Sequence, residues 1–257
     1  MSKDATIKTA SEKYNDPNFD YTQYWIGREY ENASEEIAIR RLLKNRHFKN
    51  AIDIGGGYGR LCPLLEEYAS SVTLAEPSTK QLTIAKRYLA KYKKIKLLKL
   101  DADKYNIADQ TYDLITMVRV MHHIPDPDHE FSELSRVLKD NGYLVLEVAN
   151  YSHFVNKIKF LLRIKKSSDQ PVDIRSRKNR NTNTIPFVNH NPKTIIRVLA
   201  HNGLKVEKIL SVSNLRNPTI KKLVPMSVLL GLERISQPIL SKSFFGPSIF
   251  LLVKKAK

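Results

Sequence analysis

Along the first 150 residues the apolar positions alternate between a helical spacing and short unbroken runs. Residues 28–46, REYENASEEIAIRRLLKNR, put Ala38, Ile39, Leu42 and Leu43 on one helical face, with Ser34 ahead of them as the expected cap. Short apolar runs then predict buried strands at 51–54, 72–75, 95–100, 112–120 and 142–149, the last opened by the Asn141-Gly142 turn signal. Helical spacing between them predicts helices over about 59–69, 78–92 and 128–138. Repeated βα units of this length imply a parallel sheet with helices on both faces. Residues 151–190 break the rhythm with a basic amphipathic stretch, HFVNKIKFLLRIKK, and a polar, turn-rich run that reads as a mobile loop. The rhythm returns with a helix over 192–201, capped by Asn191 and ended by Gly203, then strands over 204–213 and 248–253 around a second insertion at 215–245.

Composition changes this picture in one respect. The 257 residues are 42% hydrophobic and 27% charged, ordinary globular usage, which argues against disorder and against a fibrous repeat. No apolar run reaches the roughly 18 residues of a spanning helix. The N-terminal MSKDATIKTA has no leader pattern and there is one cysteine, Cys62, so a cytoplasmic location is expected. Charge is distributed unevenly. Residues 1–150 hold 22 basic and 22 acidic side chains, whereas residues 151–257 hold 21 basic and 4 acidic ones, so the whole net charge of +17 lies in the last part. That asymmetry points to an anionic partner: nucleic acid, a membrane surface or an acidic substrate.

The chemistry concentrates at 51–60, AIDIGGGYGR, where an apolar strand ends in Asp53 and glycines follow at Gly55, Gly57 and Gly59. Glycines after a parallel strand let backbone N–H groups approach a ligand closely. The dinucleotide spacing G-x-G-x-x-G fails here, since the third position falls on Arg60 or Cys62. The second strand ends VTLAEPS and the third LKLDADK, which place Glu76 and Asp101 at the same sheet edge as Asp53. Three acids suit a ribose, an exocyclic amine and an ammonium, and repel a pyrophosphate.

With TYDLITMVRVMHHIPDP and FSELSRVLKDNGYLVLEVAN, these segments resemble the class I S-adenosylmethionine (SAM)-dependent methyltransferases, in particular the broad subgroup that includes ubiquinone/menaquinone-biosynthesis-type enzymes. The resemblance covers residues 50–150 in order and spacing; Lys139-Asp140-Asn141-Gly142 departs from the usual Lys-Pro-Gly-Gly turn. It implies one Rossmann-like, doubly wound, mostly parallel seven-stranded sheet in the order 3-2-1-4-5-7-6. Residues 1–257 would form a single domain: cap helices over 1–49, a SAM-binding core over 50–150, a basic insertion over 151–190, and a C-terminal helix and strands over 191–257. It further implies SAM as cofactor. Gly55, Gly57 and Gly59 would pass under the methionine part, with Asp53 near its ammonium. Glu76 would hold the ribose, and Asp101 and Ala102 would contact adenine. Val118 and Arg119 would line the other side, and Tyr24 and Arg28 would close over it, Arg28 on the cofactor carboxylate unless it is only an exposed helix charge.

His122 and His123 follow the fourth strand, where a neutral imidazole can serve as a base or can simply hydrogen-bond the loop. Cys62 reads as packed rather than reactive, and His190 and His201 as solvated or capping groups. No Cys/His spacing fits a zinc site. The expected acceptor is a small or lipid-like molecule, with an anionic one included. An RNA methyltransferase and an inactive SAM-binding module are the alternatives. Residues 153–166 read as a membrane-surface segment, a lid over a greasy or acidic substrate, or a helix packed on its own sheet.

Overall fold

The computed structural model describes residues 10–100, 105–181 and 185–256. Seven strands form one sheet in the order β3-β2-β1-β4-β5-β9-β8. Strands β1 (Phe48–Ile54), β2 (Ala69–Glu76), β3 (Ile95–Lys99), β4 (Tyr112–Met117) and β5 (Leu138–Ala149) pair in parallel. Strand β9 (Ser248–Lys255) runs antiparallel between β5 and β8 (Leu204–Val212). The expected order 3-2-1-4-5-7-6 is therefore observed, because a separate ribbon of β6 (Val172–Asp173) and β7 (Val188–Asn189) takes two numbers in between.

Neighbouring residues on each central strand point to opposite faces, and both faces are apolar. Ile52, Ile115 and Leu251 join one core, beneath α5 (Pro127–Val137) and α8 (Pro192–His201). Ala51, Leu114 and Leu252 join the other, beneath α2 (Glu29–Leu42) and α3 (Cys62–Leu65). Short polar side chains start the helices. Ser78 accepts from the Gln81 N–H to begin α4 (Thr79–Tyr88), Asp126 and Pro127 begin α5, and Asn191 accepts from the Lys193 N–H to begin α8.

Several boundaries differ from the sequence expectation for local reasons. Ser34 is not a cap: α2 starts at Glu29, and Ser34 is buried in its middle. The helix expected over 59–69 shrinks to α3, since Gly59 has φ of +83° and the Tyr68 N–H closes a turn on Leu65 straight into β2. Strand β4 stops at Met117 because Arg119 adopts a left-handed φ of +60°, and a short 3-10 turn, Met121–His123, follows. The Asn141-Gly142 turn lies inside β5, whose first residue, Leu138, already pairs with Tyr112 before the register shifts.

The described parts of both insertions contain regular elements. Residues 151–190 contain α6 (Phe154–Leu161), the ribbon and α7 (Arg177–Asn181). Residues 215–245 contain α9 (Pro218–Leu223), α10 (Met226–Ile239) and a 3-10 turn. Asn150, fully buried at the end of β5, holds the turn after α10: its Nδ2 donates to Phe244 O (2.8 Å) and Gly246 O (2.7 Å), and its Oδ1 accepts from Ser152 N (2.8 Å).

Asn150→Ala leaves two buried carbonyls without a donor and should lower the unfolding free energy by about 2–3 kcal/mol. Urea titration measures it; a loss near zero would mean that the turn after α10 holds itself.

Candidate active site

The sheet's C-terminal edge collects the candidate residues. Asp53 sits beneath the glycine loop, 1% exposed, with Oδ1 accepting from Thr116 Oγ1 at 2.6 Å and Oδ2 facing the Cys62 thiol at 3.9 Å. Burial pushes its pKa up to about 6, against the opposing Thr116 hydrogen bond and Arg60 charge. The same burial and the nearby Asp53 raise the Cys62 thiol, which is packed and unreactive in character. Gly56 is the glycine this acid requires, since a Cβ there would strike Asp53 Oδ2 and Leu74 Cδ1.

Glu76 closes β2 at 4% exposure. Its Oε2 accepts from the Gly57 N–H and its Oε1 from the Ser78 N–H, both at 2.9 Å. Burial raises its pKa to about 7 although both hydrogen bonds favour the carboxylate. The tip of β3 runs beside it, Glu76 pairing in register with Lys99; Asp101 and Ala102 lie outside the described residues.

A cover crosses this floor. The 3-10 turn Tyr21–Trp25 sets the Tyr21 ring over Gly57, so that a Cβ at Gly57 would lie 3.1 Å from Tyr21 Cε1. Tyr21 stacks on Tyr24 with centroids 5.7 Å apart and meets Tyr14 edge-on at 5.5 Å. Beside the cover, Tyr21, Asp53, Gly55, Arg60, Val118 and Arg119 bound a narrow cleft. Gly59 faces Leu89 instead. Arg28 lies on the Tyr24 ring, 4.1 Å from its centroid, whereas Arg60 and Arg119 are the guanidinium groups that border the cleft.

Those two arginines share Glu35, which is fully buried on α2. Arg60 Nη2 lies 2.6 Å from Oε2 and Arg119 Nη2 2.5 Å from Oε1. The Trp25 ring carries both guanidinium groups, at 3.8 Å from Arg60 and 5.0 Å from Arg119. Arg119 also donates to the Tyr24 hydroxyl at 3.1 Å. The sequence reading missed Glu35. The available signal was an acid three, four and seven residues before Ala38, Ile39 and Leu42, on the apolar face of its helix, where a buried carboxylate demands a cation.

The histidines divide. The His123 Nδ1 faces Pro186 O at 3.0 Å and so carries the proton; Nε2 then accepts from the Tyr14 hydroxyl at 3.1 Å. His122 is buried between the His123 ring (4.0 Å) and the Phe187 ring (4.3 Å) and makes no hydrogen bond among the described residues. Burial lowers both pKa values, that of His123 to about 4, so both rings are neutral near pH 7. His190 is a correction: it is buried at 2% exposure and hydrogen-bonds Met121 O at 3.0 Å, rather than being solvated. His201 is exposed beside Asp128.

The fold and its glycine edge define a class I SAM-dependent methyltransferase architecture. Residues 24–209 match the methyltransferase domain family, and the chain belongs to that family. SAM is the cofactor that family and fold imply. Ubiquinone biosynthesis O-methyltransferases from Nitrosomonas europaea and Pelagibacter ubique are 27% and 29% identical over 45% and 47% of this chain. The chain spans about half the length of these relatives, 52% and 50%. Among solved structures, a putative methyltransferase described in complex with the Haloferax volcanii Trm112 activator has a TM-score of 0.64 at 14% identity, over 98% of this chain and all of that one. A putative SAM-dependent methyltransferase from Listeria monocytogenes has a TM-score of 0.60 at 17% identity, over 89% and 99%. At these identities the likeness is one of fold.

The residues at this edge fit the chemistry of SAM: the β2-tip carboxylate is an acceptor suited to hydroxyl groups, beside a loop where Gly57 carries no Cβ beneath Tyr21. Tyr21 lies over Gly57, where the cover crosses the loop.

With a pKa of about 7 against 4.5 for a solvated glutamate, folded Glu76 keeps its proton longer than the unfolded chain does. Its stabilising contribution is complete below the lower value and is lost as pH rises through the higher one. Glu76→Gln cannot titrate. Its stability relative to wild type should therefore climb between pH 4.5 and 7 and level off above, by urea unfolding at several pH values. A difference that stays flat across this window would show Glu76 titrating as a solvated group.

Proposed function

We propose that this chain, acting as one unit over residues 1–257, transfers the methyl group of SAM to a small-molecule or lipid-like acceptor. The observation that carries the reading is the direct contact of a buried strand-tip carboxylate, Glu76, with the glycine-loop amide of Gly57. In this reading Glu76 takes the ribose hydroxyls, and Gly55, Gly57 and Gly59 shape the loop beneath the methionine part. Asp53, with Val118 and Arg119, lines the cleft; Asp101 and Ala102 face adenine. Tyr24 holds Arg119 in place. The cofactor carboxylate falls to Arg60 or Arg119, which border the cleft, in preference to Arg28. SAM supplies an activated methyl group, so alignment for in-line transfer does much of the work. The relatives' names, O-methyltransferases of ubiquinone biosynthesis, favour an oxygen acceptor on a lipid-like molecule.

Of the two histidines, His122 is the candidate base, since both nitrogens of His123 are engaged. Its depressed pKa keeps it unprotonated, yet makes it a weak proton acceptor, which limits what it contributes.

Methyl-labelled SAM incubated with cell extract should leave label in the organic-soluble fraction. Label in RNA would favour the nucleic-acid reading, and SAM binding without any transfer would favour an inactive binding module. Glu76→Ala, checked for folding, should weaken SAM binding by roughly 1.5–3 kcal/mol in calorimetry, the worth of hydrogen bonds to a charged group; unchanged affinity would remove the ribose assignment. His122→Ala should lower kcat by about a hundredfold if it is the base, with SAM affinity kept, whereas a kcat within about threefold assigns the acceleration to alignment alone.

A further inference from the structure

Two helices in the basic part of the chain are turned inside out. On α10, the residues facing the protein are Leu229, Glu233 and Gln237. Glu233 accepts from the Tyr30 hydroxyl (2.6 Å), Ser213 N (2.8 Å) and Asn214 N (3.1 Å), and Gln237 donates to Ser34 O (2.9 Å). The opposite face carries Val228, Leu232, Ile235 and Ile239, spaced four, three and four residues apart, with Ile235 63% and Ile239 67% exposed. On α6 the buried residue is Asn156, which donates to Tyr151 O, while Val155, Ile158 and, at 82% exposure, Leu161 face outward. Leu162 and Ile164 extend that surface beyond the helix end.

The two helices meet at one turn. The Phe154 ring stacks on Phe245 at 4.7 Å, and Phe154 N donates to Phe245 O at 2.9 Å. Lys157 reaches Ser243 O, so α6 rests on the turn that directly follows α10. Exposed cations surround them: Lys159, Arg163 and Lys166 by α6, and Lys222, Arg234 and Lys242 by α10. The four acids of residues 151–257 do not offset these. Glu233 is buried, and Asp169, Asp173 and Glu207 pair with Arg197, Arg175 and Arg46.

We propose that α6 and α10 dock this protein on the surface of an anionic lipid bilayer. Clustered exposed apolar residues on neighbouring helices mark a contact surface, and the cations beside them select what covers it. A second copy of this chain would bring its own Lys and Arg against the first. RNA offers phosphates and leaves the aliphatic stripe in water. An anionic bilayer takes both, with apolar side chains at the acyl boundary and cations at the headgroups. Among the described residues no helix is long and apolar enough to cross a membrane, so contact is at the surface. The inference stands on this patch alone and does not require methyl transfer.

Sedimentation of the full chain with vesicles tests it. Binding should be strong to phosphatidylcholine vesicles containing phosphatidylglycerol, weak to phosphatidylcholine alone, and reduced by salt. The triple substitution Lys159→Gln, Arg163→Gln, Lys166→Gln should weaken it on the order of a hundredfold. Leu232→Ser, Ile235→Ser, Ile239→Ser should weaken it too, with cooperative unfolding retained in both variants. Three results would each overturn the proposal: no sedimentation with anionic vesicles at low salt, variants that bind as wild type does, or a dimer in solution that the serine variant dissociates. Tight, salt-sensitive RNA binding without vesicle binding would give the basic surface to nucleic acid.

Discussion

Glu35 has no access to solvent, and its two carboxylate oxygens hold guanidinium groups from two different parts of the site: Arg60 of the glycine loop and Arg119 at the tip of β4. Ions taken out of water cost several kcal/mol each unless partners satisfy them, so this cluster has few alternative arrangements. Burial alone would lower the Arg119 pKa; Glu35, with Tyr24 and Glu147, outweighs it and holds the guanidinium charged. Arg119 also donates its backbone N–H to Glu147, at the left-handed φ that ends β4. The Trp25 ring lies on both cations, so the cover over the site is seated by the same charges that fix its floor. One carboxylate thus sets α2, the glycine loop, the β4 tip and the cover in a common register.

Much of the floor was legible in the sequence because backbone rules write it there. The βα alternation, the Asp53 strand end, the glycine spacing and the Glu76 tip follow from burial on both faces of a parallel sheet. What escaped depends on contacts between distant segments. Ser34 carries a capping side chain at a plausible distance from an apolar stripe, yet tertiary packing started α2 at Glu29 and buried Ser34 against Gln237, more than two hundred residues away. His122 and His123 are adjacent in sequence and equal in type, but the chain around Pro186 and the Tyr14 hydroxyl engage only one of them.

The inversion of α10 has the same origin. A helical period separates an apolar face from a polar one and is silent about which turns inward. Here the backbone amides of Ser213 and Asn214 and the Tyr30 hydroxyl lie beside α10, and Glu233 supplies the acceptor that satisfies all three. Once Glu233 and Gln237 are inside, Leu232, Ile235 and Ile239 must be outside. The demand of buried donors thus overrides the usual preference for burying aliphatic side chains.

Tyr21 couples the cover to the floor by exclusion. Its ring lies over Gly57, close enough that a Cβ there would be 3.1 Å from Tyr21 Cε1, on the side from which the proposed ligand reaches the loop. Glu76, meanwhile, spends one oxygen on that amide and the other on Ser78. In the proposed reading, ligand entry displaces the tyrosine stack, while each Glu76 oxygen keeps a second lone pair for a hydroxyl group. On that proposal, the apparent affinity is the intrinsic one reduced by the fraction of molecules in which Tyr21 has withdrawn. That fraction is set by the aromatic contacts of Tyr21 with Tyr14 and Tyr24 and by the hold of the Glu35 cluster on Trp25. In the proposed reading, the residues that cover the loop bear on cofactor affinity alongside the acids beneath it.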